Sequence, residues 1–422
     1  ASSRRDFLKT STAAVVAGAA GAFSMDVHAA GGDTLRIGLI GCGSRGTGAA
    51  SQALAADNNV KLVAMADAFP DRLASSLATL KKDEAIAGKI DVQQDHCFDG
   101  FNAYEKLIAS DVDVVLLCTP PHFRPAHLKA AVQAGKHVFA EKPVAVDAPG
   151  VRSVLDTCAL AKKKNLSIVS GLCLRFHHGF QETIKRIHDG ALGDMVALQT
   201  NDLRGKIWMF PREKSWTDME WQMRNWYYFT WLSGDFNVEQ HVHNLDLISW
   251  IMKGEYPVKV NGTGGRQVRT GPEYGHIYDH HSVVYEFANG VKCFSVCRQQ
   301  EGCDSDISNH VMGSKGTGFL KEDKISLSTG SGWRYRDKIN DIYQTEHDEL
   351  FASIRAGRPI NNGDYMAKST LMAIMGRMAT YTGKTITWDQ AFHSKEDLTP
   401  PKYEWGPLET PRVAAPGVTK FV

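Results

Sequence analysis

The sequence predicts an α/β domain on a doubly wound parallel sheet, followed by an α+β domain with a large, mostly antiparallel open sheet. Three observations carry this reading. Short, wholly apolar runs alternate with helical patterns from Leu35 to Gly171. A glycine-rich turn closes the first of those runs. After Gly171 strand patterns follow one another, several with period-two alternation.

Strands buried on both faces read as continuous apolar runs, the mark of a parallel sheet. Leu35–Ile40, Val60–Ala66, Val112–Cys118, His137–Ala140 and Leu166–Ser170 have that texture. Helical patterns fall between and after them, near 49–56, 72–81, 104–110, 125–134 and 148–164. In the second half, strands are expected at Met195–Asn201, Val258–Gly264, His281–Phe287, Lys292–Gln299 and Ser308–Gly313. The turn Ala288-Asn289-Gly290 joins two of them as a hairpin. One helix is expected over Val238–Met252, and two more over Glu346–Ala356 and Met366–Thr382. At 422 residues the chain is too long for one ordinary core. The expected divisions are a leader at 1–30, an α/β domain at 34–165, an α+β domain at 166–400 and an extended tail at 401–422. The C-terminal helices are expected to pack back on the first domain, and the tail to wrap over a surface.

Ser3-Arg4-Arg5-Asp6-Phe7-Leu8-Lys9, then a soft apolar stretch from Ser11 to Phe23, reads as a twin-arginine export signal. Val27-His28-Ala29 has the small-residue pattern of a cleavage site. The stretch is too short and too rich in Ala and Gly for a membrane span, which needs ~20 apolar residues. The expected location is therefore the periplasm or another exported compartment, with no stable membrane insertion. A net charge of +1 gives no pull toward nucleic acid. Eight cysteines are spread through apolar surroundings, which suits small buried hydrophobes better than bridges. No Cys-x-x-Cys pair occurs, so no metal site is expected.

The turn Gly41-Cys42-Gly43-Ser44-Arg45-Gly46 follows a strand and opens a helix. That context makes it a Rossmann-type dinucleotide fingerprint. Gly41 allows the tight turn, Gly43 lets backbone approach a pyrophosphate, and Gly46 lets helix and strand pack. The helix N-terminus at Ser44 and Arg45 offers free N–H groups to the phosphates. Asp67 lies 21 residues after Gly46, at the end of the second strand, where a carboxylate binds ribose hydroxyls. It would repel a ribose phosphate, so NAD is expected over NADP, with Arg72 nearby pulling the other way. A twin-arginine signal carries folded protein, so a tightly bound cofactor can travel with it.

Thr119-Pro120-Pro121-His122 and Gly135-Lys136-His137-Val138-Phe139-Ala140-Glu141-Lys142-Pro143 resemble the Gfo/Idh/MocA oxidoreductases, named for glucose–fructose oxidoreductase and inositol dehydrogenase. The resemblance implies that Thr119, Pro120, His122, Glu141 and Lys142 border the cofactor. It places Lys142 beside the nicotinamide and the substrate hydroxyl, and implies a cis bond at Pro143. A second motif, Gly234 to Asp246, carries an acid and a His four residues on, here Glu239 and His243. On one helix those two would share a face. The family has Asp where this chain has Glu239. His241, two residues from each, would face elsewhere.

The chemistry suits those residue types. Oxidising an alcohol takes a proton from oxygen as hydride leaves carbon, so His243 serves as base and Lys142 as electrostatic partner. Glu239 would bind a hydroxyl or tune His243. The segment 204–231 is rich in Trp and Tyr, which either stack on sugar rings or pack in a core or subunit contact. Arg224, Trp226 and Tyr227 within it, and Arg175 following the strand after the first domain, are the candidates for substrate contact. The implied activity is hydride transfer between a sugar or glycoside hydroxyl and a retained nicotinamide. The alternative is an NAD-dependent glycosidase with transient ring oxidation and elimination; a sugar-binding protein without turnover is the third reading. The resemblance implies a homodimer or homotetramer through the open sheet.

Overall fold

The computed structural model describes residues 33–422, apart from 323 and 331; the expected export signal lies outside the described residues. The first sheet holds β1 (Leu35–Ile40), β2 (Val60–Asp67), β3 (Cys97–Asp99), β4 (Val114–Leu117), β5 (His137–Ala140) and β6 (Ile168–Ser170). All its pairs are parallel, in the order β3-β2-β1-β4-β5-β6. Strand order reverses between β1 and β4, which opens a crevice at their carboxyl ends. Because β6 pairs with β5, the first sheet runs past the expected limit at 165. The three-residue β3 has no apolar run to announce it.

The second sheet holds β7 (Met195–Arg204), β8 (Lys259–Gly265), β9 (His280–Glu286), β10 (Lys292–Gln299), β11 (Asp306–Gly313), β12 (Gly316–Lys321), β13 (Lys324–Ser328), β14 (Trp333–Arg334) and β15 (Ile386–Thr387). Its order is β14-β13-β12-β11-β7-β10-β9-β8-β15, antiparallel except for the β7–β10 pair. The strands β12 to β15 were not expected, because glycines and lysines dilute the alternation in the first two and the last two are only two residues long.

Helices Val242–Ile251 and Gly363–Thr382 cover one face of this sheet. The longer one is buried along nearly its whole length because it also meets helix Ala148–Lys163 of the first domain. It buries Arg377 completely, with Nη1 donating to the Val146 carbonyl and the guanidinium paired to Glu396. Helix Ile342–Arg355 lies on helix Ser44–Ala56, and Arg355 grips Asp57 through two bonds of 2.8 and 3.0 Å. Both C-terminal helices therefore pack back on the first domain. The opposite face of the sheet keeps Phe294 45% exposed.

The tail does cross a surface. His122 Nε2 lies 2.7 Å from the Tyr403 hydroxyl, and Trp405 packs on Phe101 at 4.5 Å and Phe69 at 5.1 Å. Farther along, Gln222 donates to the Leu408 carbonyl. All eight cysteines are free; five are buried, Cys97 and Cys118 partly so, and Cys303 is exposed. Among the described residues no helix is long and apolar enough to cross a membrane.

Burial keeps several histidines neutral. It lowers His276 to about 4 and, helped by Arg124 and His122, His127 to about 3. Unfolded histidine protonates near ~6.5, so below that pH the unfolded chain binds more protons than the native one. This contribution is intact above ~6.5 and weakens by about 1.4 kcal/mol per pH unit for each such histidine as pH falls toward their native values. The urea midpoint is therefore expected to drop steadily on acidification from neutrality; a flat midpoint would contradict it.

Candidate active site

The glycine turn is built as its spacing requires. Gly41 has φ +97°, and a β-carbon there would lie 2.5 Å from the Cys118 carbonyl carbon. A β-carbon on Gly46 would overlap the Gly41 carbonyl oxygen. One on Gly43 would meet nothing within 4 Å, so that position faces the open crevice. Helix Ser44–Ala56 begins there with no side-chain cap on its N-terminus. Its first N–H groups are left for an anion. Asp67 closes the far side. Its carboxylate accepts from Cys42 N at 2.6 Å and Phe69 N at 2.9 Å, while burial pushes its pKa up.

These residues border a cleft of about 1150 Å³. That exceeds the ~300–1,000 Å³ of a small-molecule pocket, leaving room for a dinucleotide and a second molecule. The open Gly43 cradle, the uncapped helix and the ribose-side carboxylate fit a nicotinamide dinucleotide. Gly41, Gly43, Ser44, Arg45, Gly46, Asp67, Thr119, Pro120, Glu141 and Lys142 all line the cleft. His122 does not; it is turned toward Tyr403 and the Trp231 ring. The sequence could not foresee that the tail would claim it.

Lys142, Glu239 and His243 meet on the cleft wall. Lys142 Nζ donates to Glu239 Oε1 at 2.9 Å and to the Glu239 carbonyl at 2.7 Å. An ammonium has three donors, so one remains for an oxygen in the cleft. The Lys142–Pro143 peptide is cis. Burial first, then Lys142, Arg204 and Arg45, hold His243 well below the usual imidazole range. It is a neutral ring, able to accept a proton.

Glu239 and His243 do not share one helix. Phe236–Glu239 and Val242–Ile251 are separate helices, broken at Gln240 and His241. Asp235 sits before the first at φ +72°, in a region few side chains tolerate. Its buried carboxylate is held by Phe236 N, Tyr278 N and the Tyr381 hydroxyl. At the break, Gln240 N and His241 N both donate to the Phe236 carbonyl, the second from five residues on, which interrupts the regular i,i+4 ladder. His241 faces away, with Nε2 2.8 Å from Ser295.

Of the substrate candidates, Arg224 and Trp226 line the cleft. Arg224 is held by Asp71 and Glu220 and covers the Phe69 ring, so it belongs to the Asp67 end. Arg175 and Tyr227 are not cleft residues. Arg175 makes two bonds to Asp246, at 2.7 and 2.9 Å, between the Trp250 and Tyr365 rings. Tyr227 is buried and accepts from Gln299. Strand and loop reading cannot tell a half-buried arginine with a carboxylate partner 71 positions away from a ligand-facing one.

Several contacts in and beside the cleft carried no sequence signal. Arg45 pairs with both Glu141 and the buried Glu346, whose pKa burial raises well above the usual range. Glu141 Oε2 also accepts from Lys142 N, and fits only because Gly171 lacks a β-carbon. Arg124 donates to the Pro143 carbonyl at 2.8 Å, behind Lys142. Tyr343 enters from helix Ile342–Arg355.

A dinucleotide fingerprint at a sheet switch point, facing a Lys–Glu pair and a neutral His, defines a two-domain nicotinamide oxidoreductase. Residues 35–170 match the oxidoreductase family with an NAD-binding Rossmann fold, and 180–318 match the GFO/IDH/MocA C-terminal domain. The chain belongs to the Gfo/Idh/MocA family. It is 28% identical to an inositol 2-dehydrogenase of Rhizobium meliloti over 76% of this chain and 86% of that one. It is 27% identical to 2,7-anhydro-N-acetylneuraminate hydratase of Escherichia coli, over 45% and 46%. An aldose-aldose oxidoreductase structure from Caulobacter crescentus shares the fold, with TM-score 0.65, 22% identity and coverage of 84% and 99%.

Proposed function

We propose that this protein is an exported oxidoreductase that acts on a hydroxyl of a sugar, cyclic polyol or glycoside, with NAD held tightly and recycled in place. The juxtaposition of Lys142, Glu239 and His243 in one cleft with the glycine turn carries the reading. The named inositol dehydrogenase relative supports the substrate class. When bound, the nicotinamide supplies the two-electron acceptor. His243 takes the hydroxyl proton, and the third Lys142 donor bonds the same oxygen as it becomes a carbonyl. Glu239 holds the Lys142 ammonium in place. Export rests on the segment 1–30. The partly exposed Phe294 face of the second sheet suits pairing with a second copy.

The test is the mass spectrum and absorbance of nucleotide released on denaturing the purified protein, before and after a panel of polyols, sugars and glycosides. NAD retained and reduced by one class is expected. Protein that arrives empty and binds NAD weakly would overturn the retained-cofactor reading. The E. coli relative is named a hydratase, a reaction with no net redox change. That favours keeping one second reading, the NAD-dependent glycosidase, which would release a nitrophenol leaving group without accumulating NADH.

Asp67 carries the choice of NAD. Replacing it by Ser is expected to shift the ratio of NAD to NADP affinity by about tenfold, or ~1.4 kcal/mol, toward NADP. Calorimetric titration of nucleotide-free protein measures it. An unchanged ratio would take the selection away from Asp67.

A further inference from the structure

The two sides of the cleft are tied together at the catalytic residues, through Lys142 and Glu239, and again beside Asp67. The second tie joins Asp71, in the first turn of helix Pro70–Leu80, to Arg224, the last residue of helix Asp218–Arg224. Both residues border the cleft. Every nitrogen of the Arg224 guanidinium is engaged. Nη1 and Nη2 donate to the two Asp71 oxygens at 3.1 and 3.0 Å, and Nε donates to Glu220 at 3.0 Å. The guanidinium carbon sits 4.1 Å from the centre of the Phe69 ring and 5.0 Å from that of Trp216. Arg72 Nη2 adds a bond of 3.3 Å to the Arg224 carbonyl. Behind this arm, the fully buried Asn225 exchanges two hydrogen bonds with the Phe210 backbone, at 2.8 and 3.0 Å. The arm is therefore a fixed part of the second domain, and parting the tie means parting the two sides of the cleft.

We propose that the Asp71–Arg224 pair is a latch across the adenosine half of the cleft, and that it sets how fast a dinucleotide enters and leaves. The proposal rests on the reading of this cleft as the site of a retained NAD. Asp71 follows the ribose-side Asp67 by four residues, and Phe69, under the guanidinium, donates its N–H to Asp67 at 2.9 Å. The latch thus acts on the ribose end, while the reacting groups are Lys142 and His243. The Asp71 side chain is 60% exposed and that of Arg224 17%, so solvent screens part of their attraction. The paired parallel bonds and the two aromatic rings add to what remains. Because the latch joins protein to protein, loosening it speeds entry and release alike and leaves affinity nearly unchanged. A side chain that gripped the adenosine itself would change release and affinity together.

The test follows exchange of bound nucleotide. Protein loaded with NAD is mixed with excess deuterated NAD, and the bound nucleotide is read by mass spectrometry over time. Calorimetry gives the NAD dissociation constant of each variant. Asp71→Asn and Arg224→Gln are each expected to raise the release rate about fivefold, with affinity within about twofold of wild type. The double variant is expected to release no faster than either single one, since both remove the same tie. Asp71 is largely exposed, so Asp71→Asn is expected to keep the wild-type urea midpoint and to decide the matter even if Arg224→Gln folds poorly. Release at the wild-type rate in Asp71→Asn overturns the proposal. So does faster release matched by an equal loss of affinity, which would make the pair a plain binding contact. Failure of the retained-cofactor reading looks different: wild type itself then exchanges its NAD within the mixing time, and the latch falls with it.

Discussion

Replacing His243 by Asn lowers kcat by about 10²–10⁴-fold while nucleotide binding persists. Asn keeps a polar side chain of similar reach but cannot take up a proton. The residues proposed to hold the dinucleotide lie elsewhere, on the glycine turn and at Asp67, so affinity for NAD is expected to stay within about twofold. Lys142→Met behaves differently. Lys142 is the cation paired with Glu239 and is itself 13% exposed in its side chain, against 9% for Glu239. Removing it leaves a nearly buried carboxylate unpaired, which costs about 3–5 kcal/mol. Lys142→Met should therefore lose stability as well as turnover, and Lys142→Met/Glu239→Gln should recover much of the stability and none of the activity. Single-turnover rates and urea titrations separate these effects. Wild-type stability in Lys142→Met would show that the pair is not structural. Undiminished kcat in His243→Asn would remove the base from the mechanism.

Gly46→Ala is expected to destabilise the protein by ~3 kcal/mol or more, because its new methyl falls on the Gly41 carbonyl oxygen and neither backbone can yield cheaply. Gly43→Ala is the informative contrast. Its methyl enters empty space, so apo stability should change by less than ~1 kcal/mol. The same methyl stands where the pyrophosphate must approach, so NAD affinity should fall by about 100-fold or more. The measurement is a urea titration and an NAD titration on each variant. A Gly43→Ala protein with normal affinity would move the phosphate site off the turn.

The alternating first domain and the glycine turn were legible because both follow from short-range rules: apolar runs for strands buried on two faces, and glycines where backbone must come close. Lys142, Glu239 and His243 were legible through motifs, and the cleft does bring them together. The geometry between them was not. The short helix Phe236–Glu239 starts at Asp235, whose partners Tyr278 and Tyr381 come from other parts of the chain. Arg175, Tyr227 and His122 looked available because their partners Asp246, Gln299 and Tyr403 are distant in sequence. Glu346 was hidden for the same reason, since its partner Arg45 is 301 positions away.

The packing of helix Ile342–Arg355 on helix Ser44–Ala56 has a consequence for the order of events during synthesis. Arg45 waits for Glu346, 301 positions later, and Asp57 waits for Arg355, 298 positions later. The backbone of Ile168 also bonds to Ile360 and Asn362. While the ribosome is still translating, the nucleotide domain therefore has one bare flank and an unfinished sheet edge. Domains that fold as separate units can finish one after another as they emerge. This one cannot. Its halves mature together once the last helices arrive, with the slow, long-range pairing that such topology imposes.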